Sequence, residues 1–282
     1  MENAKIPEIT INTFEELKKY IEDNELIKTK KSDIPDDINI ITNSVDLGFR
    51  FFRGMKNSSY KLSSTLERYI YEYYKFNFSK KGIDLSKKEF KLSKKDFEDI
   101  SREFLHKCKE TLKSKIPEKY ILLNEEFEDE IWFYGQHYEL STPFLDWSRS
   151  FLIALYFAFE DYKNDTDYRV VYILRTLMMD DYIKIYEPKI DLGGRLTAQK
   201  GVFTKMLSED LENINSKDTA LEYIDKHKCL SKVLINTRLR NDILEYLWSL
   251  NIDSSTIYPD IKGAIKSSHL ELGNILETRI LE

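Results

Sequence analysis

The sequence has few of the residues from which disulfide frameworks and zinc sites are built. It contains two cysteines and four histidines among 282 residues. Cys108 and Cys229 are far apart, no CxxC pair occurs, and the histidines lack the spacing of metal ligands. A disulfide framework needs several cysteines, and a structural zinc site needs four Cys or His ligands. We therefore expect no structural disulfide and no bound metal, as is typical of a reducing environment.

Long apolar runs are absent as well. The most apolar run lies between Arg149 and Glu160 and spans ten residues, whereas a membrane helix needs about 20. The chain begins with MENAKIPEIT, which has neither the basic segment nor the apolar segment of a secretory signal. These features predict a soluble, cytoplasmic protein without a membrane partner.

The formal net charge of −6 argues against unspecific binding to nucleic acid. Such binding depends on Lys and Arg side chains that neutralise phosphates. Only residues 79–119 have a marked local excess of Lys and Arg. Two interpretations of this stretch stay open. It forms either the solvated face of an amphipathic helix or a docking surface for an acidic partner.

The composition is otherwise that of a folded protein, with 41% hydrophobic and 13% aromatic residues. Strand and helix patterns interleave irregularly, which predicts an α+β fold: one mixed-sheet domain with a buried central helix and flanking helices. We expect an N-terminal helix and loop at 1–45, a core with the site motifs at 46–210, and a C-terminal strand–helix extension at 211–282. The predicted strands cover 9–11, 47–54, 168–175, 195–206 and 231–236. The predicted helices cover 14–23, 66–76, 93–115, 151–159, 239–250 and the residues after Pro259 and Asp260. Residues 27–45 are predicted to form a loop.

The apolar run at 151–159 predicts the central helix, because its apolar residues fall on every helical face. Ser148 precedes the run and is the predicted N-cap. The segment upstream of the run is crowded with hydrogen-bonding side chains. Polar groups held beside a rigid, buried helix predict a functional site. These side chains are Gln136, His137, Tyr138, Ser141, Thr142, Asp146 and Trp147.

Four motifs give the chain a resemblance to a known family. They are Phe52-Arg53-Gly54, Gln136-His137-Tyr138 with the Ser-Thr-Pro-Phe-Leu-Asp-Trp-Ser that follows, Arg195-Leu-Thr-Ala-Gln199-Lys-Gly201, and Thr256-Ile-Tyr-Pro259-Asp260. In order and spacing over residues 10–270 they resemble the FRG domain family. The resemblance implies a bacterial protein similar to components of phage-defence and toxin-like systems, without implying one particular activity.

A weaker resemblance is to ADP-ribosyltransferases of the Arg-Ser-Glu type. In those enzymes an aromatic-Arg-Gly strand end is followed by a Ser-Thr-Ser strand and then by an Ala/Phe-rich helix. Here Arg53 matches the first motif, Ser141 and Thr142 match the second, and the run at 151–159 matches the helix. The resemblance implies an NAD site in which a cation binds phosphate or ribose and a carboxylate stabilises the oxocarbenium-like ribose. The family's acid position holds Gln199, which carries no charge. Either Glu139 or Asp146 replaces that acid, or the pocket binds without turnover.

The predicted site follows from these resemblances. We expect the strand of Arg53 and a strand carrying Gln199 to lie close together near His137. The predicted function is NAD-dependent ADP-ribosyl transfer to a protein or nucleic acid, or NAD hydrolysis, by a phage-defence effector or toxin. The alternative is a non-catalytic ligand-binding or protein-interaction module, in which Arg53 pairs structurally with Asp146. The candidate catalytic residues are Arg53, His137 and Asp146, and the candidate NAD-binding residues are Gly54, Gln136, Tyr138, Ser141, Thr142 and Gln199.

Overall fold

The computed structural model describes residues 6–24, 26, 49–80, 92–116, 127–163, 166–176, 183–212, 214 and 229–281. The predicted loop at 27–45 lies outside these residues. The strands are β1 (Glu8–Ile11), β2 (Phe49–Met55), β3 (Leu145–Ser148), β4 (Tyr168–Thr176), β5 (Ile185–Tyr186), β6 (Gly201–Thr204) and β7 (Leu230–Asn236). The helices are α1 (Phe14–Asp23), α2 (Thr65–Lys80), α3 (Lys94–Leu112), α4 (Glu128–His137), α5 (Phe151–Phe159), α6 (Arg195–Gln199), α7 (Ser208–Glu212), α8 (Arg240–Ser249), α9 (Ser254–Ile257) and α10 (Ile261–Leu281).

The described strands form one seven-stranded sheet in the order β1-β7-β4-β2-β3-β6-β5. β1 and β7 are parallel, and the other neighbours are antiparallel. A mixed sheet with helices packed around it confirms the predicted α+β fold. Both faces of β4 are buried, because Val171 and Ile173 join the core cluster around α5 while Val170 and Leu174 join a second cluster on the other face.

The apolar run forms the predicted central helix, α5, and every residue of α5 except Phe157 is buried. The prediction of Ser148 as its N-cap is wrong. Ser150 is the N-cap, and its side chain accepts a hydrogen bond from the Ile153 amide. Ser148 is the last residue of β3. An N-cap must immediately precede the first helical turn, and the strand extends to within two residues of that turn.

Two arginines bind the carbonyl groups at the C-terminal end of α5. Arg169 Nη1 donates to the Ala158 carbonyl at 2.8 Å, and Arg240 Nε donates to the Phe159 carbonyl at 3.1 Å. The last carbonyls of a helix lack intrahelical partners, and cations are favourable at that end. These two side chains therefore hold the end of α5 at a fixed position on the sheet.

The predicted caps of α1 and α2 are confirmed. Thr13 and Glu16 form a reciprocal capping box at the start of α1, and the Ser64 side chain accepts a hydrogen bond from the Glu67 amide at the start of α2. The local sequence therefore determines where these helices begin.

The predicted strand at 195–206 is only partly right. Residues Arg195–Gln199 are helical, and the strand is confined to Gly201–Thr204. Gly193 and Gly194 turn the chain with positive φ angles of 64° and 75°. The Asp191 carboxylate then accepts hydrogen bonds from the Leu196 and Thr197 amides, which satisfies the first donors of α6. Gln199 therefore lies on a helix, not on a strand as predicted.

No helix within the described ranges is both long enough and apolar enough to cross a membrane.

β2 lies against the backbone of α5 at Gly54. A Cβ atom at this position would lie 1.8 Å from the Ala154 carbonyl oxygen and 2.7 Å from the Ala158 nitrogen. Both contacts are with backbone, which cannot move aside as a side chain can. Gly54 is therefore required for the packing of β2 on the central helix.

We predict that Gly54→Ala lowers the free energy of unfolding by about 3 kcal/mol or more, because the new methyl group overlaps the α5 backbone. The measurement is urea denaturation followed by circular dichroism. Gly273→Ala in α10 is the matched control, since a Cβ there has no neighbour within 4 Å. That variant is expected to gain up to about 1 kcal/mol from helix propensity. Equal effects of the two substitutions would contradict the packing role of Gly54.

Candidate functional site

The candidate site lies where the sheet opens between β2 and β3. These strands pair at a single position, Phe52 with Ser148, although β2 continues beside β4 to Met55 and β3 begins beside β6 at Leu145. Neighbouring strands normally continue their ladder of backbone hydrogen bonds. Here the ladder stops after one pair, which leaves a gap between the two strands.

Arg53 bridges this gap. Its Nη1 atom lies 2.6 Å from Asp146 Oδ1 and donates to the Asp146 backbone carbonyl at 2.7 Å. The Arg53 side chain is 15% exposed and that of Asp146 is 59% exposed. The ion pair between Arg53 and Asp146, expected in the alternative without catalysis, is present.

A large cavity of about 1000 Å³ opens over the Arg53–Asp146 pair. This volume is at the upper end of the range typical of small-molecule sites. Its charged side chains come from β2, from the loop after β2, from α2, from β3 and from the segment after α5. The aromatic side chains add flat apolar walls. The charged residues are Arg53, Lys56, Lys61, Arg68, Asp146, Glu160 and Asp161, with His269 from α10, and the aromatic residues are Phe52, Tyr60, Trp147, Phe157, Tyr162 and Phe203.

Asp146 is held in its ionised form. Burial opposes ionisation, but the Arg53 guanidinium, through its charge and its hydrogen bond, outweighs burial and lowers the pKa of the Asp146 carboxyl, with a smaller contribution from Arg68. The carboxylate is surrounded by protein, yet it is accessible because it opens onto the cavity. Burial and the neighbouring Arg53 charge lower the pKa of Arg68. Arg53 therefore pairs with Asp146 directly, whereas Arg68 interacts with that carboxylate through its charge, without a direct bond.

A second, smaller cavity of about 200 Å³ adjoins the first. Asp146, Leu196, Gln199 and Phe203 line both cavities, so that Asp146 lies at their junction. The small cavity adds polar side chains from α4 and α6, namely Glu130, Gln136, His137 and Arg195. Four predicted site residues, Gln136, His137, Asp146 and Gln199, therefore line one cleft, and the Arg53–Asp146 pair connects Arg53 to it.

Asp260 organises one wall of the small cavity. Its carboxylate lies 3.5 Å from His137 Nε2, measured at Oδ2, and forms a two-point ion pair with Arg195. Asp260 also accepts a hydrogen bond from the Gly263 amide at 2.7 Å, near the start of α10. Burial opposes ionisation of Asp260, but the Arg195 hydrogen bond and charge lower its pKa, and His137 contributes further.

Sequence reasoning missed this arrangement. The helix after Pro259 and Asp260 was predicted, but the contact of Asp260 with Arg195 and with His137 was not. The available signal was that Arg195 and Asp260 both belong to the quoted family motifs. Neither the spacing nor the residue types of those motifs showed that their side chains meet.

Thr142 is placed differently from its predicted role. It is fully buried, and its hydroxyl donates to the Gln136 side chain at 2.7 Å. Its backbone amide and carbonyl bond the Thr65 hydroxyl and the Leu66 amide at the start of α2. Thr142 therefore attaches α2 to the site segment and lies outside the residues that line either cavity.

Ser141 and Tyr138 also lie outside the lining of the two cavities. Tyr138 is 63% exposed, and its ring lies against those of Tyr134 and His137. Of the two acids considered for catalysis, Asp146 lines both cavities, whereas Glu139 lines neither. The structure thus favours Asp146 as the acid of this site.

Gly54 and Gln199 line the large cavity. Gly54 is already required by the contact with α5. The Gln199 amide nitrogen donates to the Ile257 carbonyl at 3.2 Å, and the Gln199 backbone carbonyl accepts from the Ser148 hydroxyl at 2.7 Å. Gln199 therefore connects α6, β3 and α9 around the cleft. Among the described side chains, no group of three or more His, Cys, Asp and Glu is placed to hold a metal ion.

Comparison with known proteins supports the family predicted from the motifs. The FRG domain family model matches residues 50–167, so that the chain contains an FRG domain. The matched range includes Arg53, His137 and Asp146, but it covers less than half of the chain and ends before Gln199 and Asp260. No curated protein and no solved structure matches the chain. The ADP-ribosyltransferase resemblance and the division at residues 45 and 210 stay predictions.

We predict that Asp146→Asn changes how stability depends on pH. A carboxyl with a pKa below its unfolded value of about 3.9 contributes stability above that value, and loses it as pH falls toward the folded pKa. The difference in unfolding free energy between wild type and Asp146→Asn should therefore shrink as pH falls below about 4. Urea denaturation at several pH values between 7 and 3 measures it.

Asp99→Asn is the control, because Asp99 forms an ion pair with Arg102 on the surface of α3, away from the cleft. A difference that stays constant or grows as pH falls would contradict the stabilising Arg53–Asp146 pair.

Proposed function

We propose that the cleft binds NAD and that the FRG domain cleaves the bond between nicotinamide and ribose. The observation that carries this proposal is the position of Asp146, an ionised carboxylate at the junction of a large cavity and a small one. Two functions need such a group: an enzyme that stabilises a developing positive charge, or a site that binds a cationic ring.

The large cavity suits the dinucleotide. Its basic side chains can bind the phosphates, and its aromatic walls can pack against planar rings. Tyr60 and Tyr162 line it from the loops after β2 and α5. A ligand with an anionic centre and planar ends therefore fits both the charge and the shape of this cavity.

The proposed reaction begins with loss of nicotinamide. The bond between the ribose C1′ atom and the ring nitrogen breaks, and its electron pair leaves with nicotinamide, which becomes neutral. The positive charge moves to the ribose, where the Asp146 carboxylate stabilises it. Arg53 keeps Asp146 ionised, so that the carboxylate needs no separate deprotonation before each reaction.

The small cavity is the proposed entry for the acceptor. An acceptor O–H or N–H group attacks C1′, and its proton passes to His137, which lines this cavity beside Asp146. If water is the acceptor, the product is free ADP-ribose. If the acceptor belongs to a protein or nucleic acid, that target becomes ADP-ribosylated. The proposed role as a toxin or phage-defence effector depends on the second outcome and rests on the FRG resemblance.

One observation favours the alternative, a module that binds a nucleotide without reaction. Asp146 is already paired with Arg53 across the gap between β2 and β3, and this pair could serve the fold alone. In that case the ligand binds and nicotinamide is never released.

We predict that Asp146→Asn lowers nicotinamide release from NAD by roughly 100-fold, because the neutral amide stabilises the ribose cation poorly. NAD affinity should change much less, since Asp146 carries the charge opposite to that needed for phosphate. Calorimetry measures binding, and chromatography of free nicotinamide measures cleavage. Lys107→Ala is the control, because Lys107 is exposed on α3 and pairs with Glu110.

The outcomes separate the two functions. Binding by wild type without nicotinamide release would establish the binding module. Absence of both binding and release would refute NAD as the ligand. Labelled NAD distinguishes transfer, which attaches label to a macromolecule, from hydrolysis, which does not.

A further inference from the structure

The large cavity is lined by four Lys or Arg side chains and by three carboxylates, of which Glu160 accepts a hydrogen bond from the Tyr258 hydroxyl. Lys56 is balanced by Asp161 at 2.8 Å. Arg53 pairs with Asp146, whereas Arg68 and Lys61 line the same cavity without an ion pair to any described residue. A concave surface lined by an excess of one charge attracts ligands of the opposite charge. This excess therefore favours an anionic ligand.

The position of Arg68 adds to the preference for an anion. Arg68 lies in the first turns of α2, where the helix dipole disfavours a cation. Two acids of α2, Glu67 and Glu72, reduce the repulsion only in part, since the pKa of Arg68 is lowered by burial and by Arg53 despite them. Glu67 also binds the Ser208 amide and hydroxyl. An arginine kept in an unfavourable position commonly has a functional reason.

Both guanidinium groups retain donors for a ligand. Arg53 bonds Asp146 through Nη1, and Arg68 donates from Nη1 to the Ser63 carbonyl. Among the described residues no acceptor is found for their Nη2 atoms. Planar guanidinium groups bind phosphate oxygens with several parallel hydrogen bonds. We propose that Arg68 and Lys61, together with Arg53, form a subsite for the diphosphate of a nucleoside diphosphate ligand.

This inference deepens the proposed function, because it names the part of the ligand that these side chains recognise, and it rests on the same cavity. Binding of ADP needs no cleavage of NAD. The subsite can therefore be tested separately from the reaction.

The experiment compares ADP with adenosine by calorimetry on the full chain, because the two ligands differ only in the diphosphate. Wild type is expected to bind ADP at least roughly tenfold more tightly than adenosine. Arg68→Gln should weaken the binding of ADP roughly tenfold and leave the affinity for adenosine unchanged. Arg68→Lys should restore part of the loss, since it keeps the charge without the planar donor set. Lys61→Gln should act in the same direction.

Arg102→Gln is the matched control, because Arg102 is an exposed helical arginine on α3 that lines neither cavity. Equal affinities of wild type for ADP and adenosine would overturn the subsite, as would an Arg68→Gln variant that weakens both ligands alike or neither. ADP binding that depends on Arg68 without nicotinamide release would uphold the subsite and refute the catalytic proposal. If Arg68→Gln cleaves NAD as fast as wild type and wild type shows no preference for ADP over adenosine, the subsite is refuted and the catalytic proposal is upheld.

Discussion

The site depends on one interrupted pairing in the sheet. β2 is fixed on one side by β4 and by the contact of Gly54 with α5, and β3 is fixed by β6. Each strand follows its own neighbour, so that they meet only at Phe52 and Ser148. A side-chain bond from Arg53 replaces the backbone ladder beyond that point. The cleft, its charged floor and its two cavities all follow from this separation.

The parts of the fold that local sequence determines were predicted. The apolar run defines α5 because a helix that is apolar on every face is typical of a buried, central position. The capping residues Thr13 and Ser64 define helix starts because they satisfy backbone donors within three residues. The run of β-branched and aromatic residues at Tyr168–Thr176 similarly defines β4.

The parts that depend on contacts distant in sequence were not predicted. α6 contains five residues, too few for a periodic pattern, and its start depends on Asp191 and on two glycines with positive φ. α4 was missed because its buried residues, Ile131, Trp132 and Phe133, are adjacent and follow no amphipathic spacing. The N-cap of α5 was predicted wrongly for a related reason. Ser148 and Ser150 are both suitable cap residues, and the local sequence does not show that β3 extends to Ser148.

The same distinction applies to the site. Arg53, His137 and Asp146 were singled out by residue type and motif, and the structure places them around one cleft. Thr142 satisfied the same criteria, but its hydroxyl and backbone are used in attaching α2. Arg68 and Asp260 could not be assigned from the sequence, because their significance arises from neighbours about 15 residues or more away along the chain, Arg53 and Arg195.

The single pair between β2 and β3 has a mechanical consequence. It joins a four-stranded part of the sheet, β1-β7-β4-β2, to a three-stranded part, β3-β6-β5. Beyond that one backbone pair, the two parts are joined by side chains: Arg53 binds Asp146 across the gap. A side-chain bond can be removed by one substitution, whereas a backbone ladder cannot. The joint between the two parts of the sheet is therefore the place where a single substitution, at Arg53, changes the connectivity of the sheet.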